Sequence, residues 1–346
     1  MREPKIEPQE PLPPALLPHA ERPPAKQSWT LYSLFKGWAF LAGIPADAFV
    51  SIDVTNECNM RCTHCYFFEQ DHPQELTDEQ LLAKLDEMKR TRQIGFLNCA
   101  WVGGEPLLRR NLLDKARHYF RWNTIVTNGT IPLPNWERTN FYVSIDGPKE
   151  IHEKIRVKGC YDRIKKNIAE SGVPVTLSMA ISQFNAHTLE SLVEEWRQVP
   201  NVKNWTFDFF TPIRGLKLDA EQWMGFEVRD GLVDRLVALK RRYPDFIATT
   251  EEALRLMKSE RCKSVTDTCI FREKSTAFSP LLEKKPQCMM GDKADCDRCG
   301  CVVPFYLHSI SHKATVVSDL ARNAGRKLGI VKEPARVQAQ PAAFSK

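Results

Sequence analysis

Three closely spaced cysteines are the residues of this chain best suited to chemistry. Cys58, Cys62 and Cys65 follow the spacing C-x3-C-x2-C within the run Asn56–Tyr66. Three thiolates in one short loop can bind three irons of a [4Fe–4S] cube and leave the fourth iron without a protein ligand. Such an open iron can bind a small molecule through an amino and a carboxylate group. A zinc site with His64 as its fourth ligand is the alternative, but zinc ligands usually come as two pairs about 12 or more residues apart.

Polar, glycine-containing segments follow the next apolar runs of the chain. Gly103–Pro106 ends the second run, Thr127–Gly129 the third and Ser144–Gly147 the fourth. Paired glycines let a ligand approach the backbone, and exposed groups at strand ends can bind it. Parallel α/β folds bind their ligands at the carboxyl ends of the strands. These segments are therefore predicted to lie with the cysteine loop at one edge of a sheet.

Taken together, the cysteine loop and these segments resemble the radical S-adenosylmethionine (SAM) superfamily. The resemblance implies a [4Fe–4S] cluster on the three cysteines, with SAM bound to its open iron. The implied SAM contacts, from the amino group through the carboxylate and ribose to adenine, are Gly103, Gly104, Glu105, Arg156, Thr127, Ser144, Tyr66 and Met179. Arg156 ends a His-x3-Arg element that begins at His152, and a guanidinium suits a carboxylate better than a lysine does. As alternatives, Arg156 is a surface arginine, and Tyr66 and Met179 are core side chains.

The chemistry that the resemblance implies is radical chemistry. An external one-electron reductant of the flavodoxin or ferredoxin type would reduce the cluster. Reductive cleavage of SAM would then give a 5′-deoxyadenosyl radical that acts on an unidentified substrate, with a peptide or a lipid favoured. The alternative is a non-catalytic iron–sulfur or zinc scaffold for electron transfer or partner binding. Gly103–Pro106 and Arg156 favour the enzyme, because a scaffold has no need to hold SAM.

A second group of cysteines lies in the C-terminal third of the chain, where Cys262 and Cys269 precede four more. The run Asp295–Cys301 resembles the cysteine-rich extensions of SPASM or twitch type and, loosely, the C-terminal region of the adenosyl-hopene-forming enzymes. Four of five cysteines are predicted to ligate an additional iron–sulfur cluster: Cys269, Cys288, Cys296, Cys299 and Cys301. A structural zinc site on the same residues and a set of unligated thiols are the alternatives.

The bulk composition narrows the class of protein. The chain has 346 residues, 42% hydrophobic and 27% charged, which suits one large domain or one domain with an extension. Its net charge of +6 does not argue for nucleic acid binding. Eleven cysteines without a visible secretory signal favour metal ligation over disulfides. Because the chain has no apolar run of about 18 residues, we expect a cytoplasmic protein.

Alternating strand-like and helix-like segments predict the fold. Six near-continuous apolar runs suit strands covered on both faces: Ala48–Thr55, Phe96–Val102, Asn123–Thr127, Asn140–Ile145, Val173–Ile181 and Asn204–Thr211. They predict an α/β fold, a partial (β/α)6 barrel over residues 48–245, which is also the usual core of the resembled superfamily. Only eleven residues separate Asn128 from Asn140, so the third crossover helix is predicted to be short or absent. Thr77–Gln80 is a capping-box pattern that predicts the start of a helix.

The remaining segments flank this barrel. Residues 246–310 are predicted to be a small cysteine-rich extension, and residues 311–346 a basic flexible tail. Residues 1–27 contain eight prolines and are predicted to be disordered. Residues 28–47 form an aromatic amphipathic segment, whose stretch 29–44 either packs on the barrel as a helix or lies on a membrane surface. The second alternative would add a peripheral membrane contact and would suggest a lipid substrate.

Overall fold

The computed structural model describes residues 49–70, 74–93, 95, 97–215 and 219–311. The predictions for residues 1–27, for the aromatic segment 28–47 and for the C-terminal tail beyond Ser311 concern residues outside this part of the chain. Among the described residues, no helix combines the length and the apolar character needed to cross a bilayer.

Seven parallel strands form one sheet in the described part of the chain. They are β1 (Phe49–Asp53), β2 (Asn98–Val102), β3 (Trp122–Thr127), β4 (Thr139–Ser144), β5 (Val175–Ile181), β6 (Val202–Phe209) and β7 (Ser275–Phe278). Their order in space is β6-β5-β4-β3-β2-β1-β7. All six apolar runs predicted as strands are strands β1 to β6, so the predicted α/β partial barrel is confirmed.

The seventh strand goes beyond the prediction of six. β7 comes from the segment assigned to the cysteine-rich extension, and it pairs in parallel with β1, with Phe49 opposite Ser275 and Ile52 opposite Phe278. It therefore covers an edge of β1 whose backbone groups would otherwise be unpaired. The cysteine-rich segment shares the sheet of the barrel as a result.

Eleven α-helices accompany the sheet among the described residues. They are α1 (Asp78–Thr91), α2 (Arg110–Ala116), α3 (Lys149–Ile155), α4 (Cys160–Glu170), α5 (Leu189–Trp196), α6 (Asp219–Gln222), α7 (Gly225–Arg242), α8 (Glu251–Leu256), α9 (Ser259–Asp267), α10 (Ile270–Lys274) and α11 (Val302–Ser311). Short 3-10 turns occupy Phe67–Glu69, Pro106–Arg109, Arg117–Tyr119, Ala186–Thr188 and Cys296–Arg298.

Local sequence signals explain several of these elements. The Thr77 side chain accepts a hydrogen bond from the Gln80 backbone N–H, and the Gln80 side chain accepts one from Thr77 N–H, so the predicted capping box starts α1. The connection 128–138 between β3 and β4 has no helix, as its short length predicted. Residues 219–242 form two helices, α6 and α7.

Large aromatic side chains fill the core around the sheet. Trp101, Trp196 and Trp205 are completely buried. Trp205 stacks on Phe207 with ring centroids 5.4 Å apart, and the Trp101 indole N–H donates to the Asn123 side chain at 2.8 Å. Close packing of this kind leaves little freedom of movement, so the sheet is a rigid base for the loops at its carboxyl ends.

Candidate active site

The loop that carries the first three cysteines is held against the end of β2. Gly104 N–H donates to Thr55 O at 2.9 Å, and Glu105 N–H donates to Glu57 O at 2.8 Å. A Cβ atom on Gly104 would lie 1.9 Å from Glu57 O, which no side chain can occupy. The close approach that the paired glycines were predicted to give a ligand is therefore used by the backbone of the cysteine loop itself.

Cys58, Cys62 and Cys65 are brought together as half-buried thiols without disulfides. Burial raises the pKa of the Cys58 thiol, and it raises that of Cys62 to about 12 although Arg156 acts in the opposite direction. Negative charge on Cys65 contributes to the rise in both pKa values. Three thiolates here need a compensating cation, which a cluster of irons supplies. The donor set fits the [4Fe–4S] cluster that was predicted from the spacing.

Glu105 ties the end of β2 to the end of β3. One carboxylate oxygen accepts from Thr127 Oγ1 at 2.7 Å and from Leu107 N–H at 3.0 Å, and the other accepts from Asn128 N–H at 2.8 Å. Burial raises the pKa of Glu105, and these donors oppose the rise. The predicted site residues Glu105 and Thr127 therefore contact each other directly, and both are buried.

Arg156 and Asp146 form a buried ion pair beside the cysteine loop. Arg156 Nε lies 2.6 Å from Asp146 Oδ2, and Arg156 Nη1 lies 3.9 Å from Cys62 Sγ. His64 Nε2 is 3.4 Å from the same carboxylate. Burial acts to raise the pKa of Asp146, but the charge of Arg156 prevails and holds it at about 2. With a side chain only 10% exposed, Arg156 is not a surface arginine.

The other predicted SAM contacts occupy different surroundings. Ser144 ends β4 and is half-buried, opposite Ser178 of β5. Met179 is completely buried in the main core, so its predicted packing on adenine stays a prediction. Tyr66 is half-buried. Burial raises the pKa of its phenol, and negative charges on Asp53, Cys65, Cys288 and Cys301 add to the rise. Tyr66 therefore lies between the two groups of cysteines.

The five cysteines predicted as ligands in the C-terminal region line one cavity. This second cysteine set consists of Cys269, Cys288, Cys296, Cys299 and Cys301. The open space of the cavity is about 510 Å³, part of it continuous with solvent. Burial, together with negative charges on Cys296 and Cys269, raises the pKa of Cys288 to about 11. The thiols are thus close enough to interact and fit a cluster with several thiolate ligands. Among the described residues, no three Cys, His, Asp or Glu side chains converge on a single-ion site.

The second cysteine set is fixed to the end of β6. Phe209 N–H donates to Gly300 O at 2.9 Å, and Gly300 N–H donates to Thr211 Oγ1 at 2.8 Å. A Cβ on Gly300 would lie 2.0 Å from Phe209 O. The glycine between Cys299 and Cys301 therefore allows the cysteine segment to pack directly on the strand.

Two charged residues near these sites, one buried and one half-buried, were not predicted. Lys285 Nζ lies 2.8 Å from Asp53 Oδ2, at the end of β1, and also donates to Met289 O at 2.6 Å. Asp208, at the end of β6, accepts from Val302 N–H at 2.7 Å, and burial raises its pKa to about 6. Neither residue stands in a local motif; the only signal in the sequence is the position of Asp53 and Asp208 at strand ends.

Comparison with protein families identifies the domain that carries the first cysteine loop. Residues 52–195 match the model of the Radical SAM superfamily, and this range contains the first three cysteines, the glycine pair and the Arg156–Asp146 ion pair. Residues 52–195 are a radical SAM domain. The predicted resemblance is confirmed. Membership of this superfamily implies a [4Fe–4S] cluster and SAM as the cofactors of the domain.

Individual relatives match part of the chain. The serine-type anaerobic sulfatase-maturating enzyme of Bacteroides thetaiotaomicron is 28% identical over 157 residues, which cover 37% of this chain and 38% of the relative. Fe-coproporphyrin III synthase of Methanosarcina barkeri is 28% identical over 168 residues, 43% of this chain and 41% of the relative. The chain therefore spans about two fifths of the length of these relatives.

A solved structure resembles more of the chain than the radical SAM domain alone. It is native anSMEcpe with bound AdoMet and Cp18Cys peptide, with a TM-score of 0.52 and 15% identity. The match covers 77% of this chain and 81% of that one. At this identity the likeness shows a shared fold, which extends past the radical SAM domain into the cysteine-rich segment.

Proposed function

We propose that this chain is an enzyme that reductively cleaves SAM and uses the resulting 5′-deoxyadenosyl radical on a peptide. The observation that carries the proposal is the packing of the cysteine loop on Gly104 and Glu105, beside the Arg156–Asp146 pair. A [4Fe–4S] cluster on Cys58, Cys62 and Cys65 would supply the electron for cleavage. The alternative of a non-catalytic scaffold does not account for a buried arginine at this loop.

The residues of the chain would hold and orient SAM. Arg156 uses Nε for Asp146 and Nη1 for Cys62 Sγ, so Nη2 would bind the SAM carboxylate, and Asp146 fixes the direction of the guanidinium. The backbone of Gly103–Glu105 would bind the SAM amino group. Thr127 and Ser144 would contact the ribose or the carboxylate, and Tyr66 and Met179 the adenine. Because Glu105 is already engaged by three donors, we assign it mainly to fixing the ends of β2 and β3.

A peptide is the substrate class that we propose. A sulfatase-maturating enzyme is among the relatives, and the solved structure of anSMEcpe contains a peptide together with AdoMet. The lipid alternative depended on the stretch 29–44, which lies outside the described residues. We further propose a cytoplasmic location and an external flavodoxin- or ferredoxin-type reductant.

The second cysteine set is proposed to bind an additional iron–sulfur cluster. Its five cysteines share one cavity, and a cluster would take four of them as ligands. Zinc on the same cysteines is the alternative, and the metal content separates the two. We expect about eight irons per wild-type chain and about four after Cys58, Cys62 and Cys65 are all replaced by alanine.

Anaerobic reconstitution tests the enzyme hypothesis. With SAM and a one-electron reductant, we expect formation of 5′-deoxyadenosine by the wild type and none by Cys58→Ala, Cys62→Ala or Cys65→Ala. Cys99→Ala is the matched control. Cys99 is a buried thiol of β2 that belongs to neither cysteine group, so the variant should retain the activity. A fully reconstituted wild type that forms no 5′-deoxyadenosine would leave the scaffold as the better hypothesis.

A further inference from the structure

Arg229 is a completely buried arginine in α7. Its guanidinium is enclosed by three phenylalanine rings, with the carbon of the guanidinium 5.0 Å from the ring centroid of Phe209, 5.6 Å from that of Phe226 and 5.9 Å from that of Phe305. Aromatic faces attract a cation, and here they also keep water away from it. The positive charge of Arg229 is therefore poorly screened by solvent.

No carboxylate of the described residues forms an ion pair with Arg229. Two of its nitrogens, Nε and Nη1, have no hydrogen-bond partner there, and Nη2 lies 3.7 Å from Cys262 Sγ. The adjacent Asp230 instead accepts from Ser259. A buried charge without a counter-ion is strongly unfavourable, so the position of this arginine calls for a negative charge nearby.

Thiols are the acidic groups closest to this guanidinium. Cys262 Sγ donates to Cys299 O at 3.8 Å, which places Cys299 next to the Arg229–Cys262 contact. Burial raises the pKa of Cys299, and the charge of Arg229 works against that rise. Cys299 also lines the cavity of the second cysteine set. The guanidinium of Arg229 therefore lies close to the second cysteine set, where several thiolates would bind the proposed cluster.

We propose that Arg229 is the counter-charge of an anionic iron–thiolate cluster at the second cysteine set and that it raises the reduction potential of that cluster. The inference rests on the proposed cluster at this set. Reduction takes one electron from the external reductant and makes the cluster more negative by one charge. A fixed positive charge in a region of low dielectric stabilises the reduced form more than the oxidised one. Arg229 is thus a positioning residue for charge and touches neither SAM nor substrate.

Redox titration of the second cluster alone tests this role. In a background with Cys58, Cys62 and Cys65 replaced by alanine, iron is counted and the midpoint potential is followed by electron paramagnetic resonance. We expect Arg229→Met and Arg229→Gln to lower the potential enough to change the reduced-to-oxidised ratio at least tenfold, which is about 59 mV for one electron. Arg229→Lys should keep most of the wild-type potential. Arg235→Met is the matched control, since Arg235 lies on the same helix but pairs with Glu190 near the surface, and it should leave the potential unchanged.

Each outcome decides a different point. About four irons with an unchanged potential in both neutral variants would overturn the role of Arg229 and would leave the proposed cluster intact. A background without iron would overturn the second cluster and this inference together, whereas SAM cleavage by the wild type is measured separately. If Arg229→Met loses its iron, the iron content of Arg229→Lys distinguishes two explanations. Retained iron in Arg229→Lys supports a role for the positive charge. Loss of iron in both variants overturns that role and indicates a steric one.

Discussion

His152 shows how a single buried side chain beside the ion pair links folding to pH. It is completely buried, its Nδ1 accepts from Asp146 N–H at 3.1 Å, and its ring meets Tyr161 edge-on with centroids 5.5 Å apart. Burial lowers its pKa to about 3, and the charge of Arg156 lowers it as well. The imidazole therefore stays neutral in the folded protein through the physiological range.

We predict that His152 makes the protein less stable in mild acid. In the unfolded chain a histidine titrates near about 6.5, so below this pH the unfolded state binds a proton that the folded state does not. The contribution is present above pH 6.5 and is lost as the pH falls toward 3, with about 2 kcal/mol of unfolding free energy lost by pH 5.

Urea unfolding of His152→Asn at pH 7.5 and pH 5.0 measures this effect. The asparagine oxygen can still accept from Asp146 N–H, so we expect a variant that is less stable at pH 7.5 but loses about 2 kcal/mol less on acidification. The exposed His118→Asn is the control and should follow the wild type. An equal loss in His152→Asn and wild type would contradict the prediction.

Site residues that belong to a contiguous sequence motif could be predicted, and site residues outside such motifs could not. The three cysteines, Glu105 and Arg156 stand in short contiguous patterns, and the structure brings them together at one edge of the sheet. The Lys285–Asp53 pair joins residues 232 positions apart; no local pattern marks Lys285, and only its place at a strand end marks Asp53. Arg229 has ordinary neighbours in sequence, and only its burial among three rings sets it apart.

Two glycines fix the two cysteine loops to the ends of different strands. A Cβ on Gly104 would meet Glu57 O at 1.9 Å, and one on Gly300 would meet Phe209 O at 2.0 Å. In each case the obstacle is a backbone carbonyl. The carbonyl of Glu57 belongs to the first cysteine loop and that of Phe209 to β6, so an alanine would have to displace a cysteine loop from its strand.

We therefore predict that alanine at each glycine affects one cysteine loop selectively. Gly104→Ala should lower the iron held by the first three cysteines and abolish 5′-deoxyadenosine formation. Gly300→Ala should lower the metal held by the second cysteine set. Gly231→Ala in α7 is the control, because a Cβ there meets nothing within 4 Å, and it should stabilise the helix by about 0.5–1 kcal/mol. Iron counts unchanged in both variants would contradict the argument.

Among the strands, the length of the apolar run determined which ones could be predicted from the sequence. Strands β1 to β6 are long enough for a near-continuous apolar run, and each was predicted. β7 has only four residues, Ser275–Phe278, and lies between a short helix and a turn, so its sequence gives too little periodicity to detect. Its pairing with β1 depends on a partner from the beginning of the barrel, which is a property of the tertiary structure.

At the scale of the whole molecule, the barrel and the cysteine-rich segment share one sheet in the described part of the chain. β7 extends the sheet beside β1, and Gly300 packs on the end of β6, so the segment contacts both ends of the strand order. Lys285 adds a buried ion pair to Asp53, the last residue of β1, just before the loop of the first three cysteines. The two cysteine groups are thereby mechanically connected through β1.

Breaking the Lys285–Asp53 pair tests this connection. Lys285→Met removes the ammonium group that lies 2.8 Å from the buried Asp53 carboxylate, and removing one partner of a buried pair typically costs about 3–5 kcal/mol. Lys263→Met is the matched control, because Lys263 is 69% exposed and pairs with Asp267 and Asp297 at the surface, where such pairs contribute about 0–1 kcal/mol. Urea unfolding of both variants at pH 7.5, with iron counted in the folded fractions, measures the difference. Because Asp53 precedes the first cysteine loop, we expect Lys285→Met also to lower the iron at Cys58, Cys62 and Cys65. A loss of stability no larger than that of Lys263→Met would instead show that the sheet alone holds the barrel and the cysteine-rich segment together.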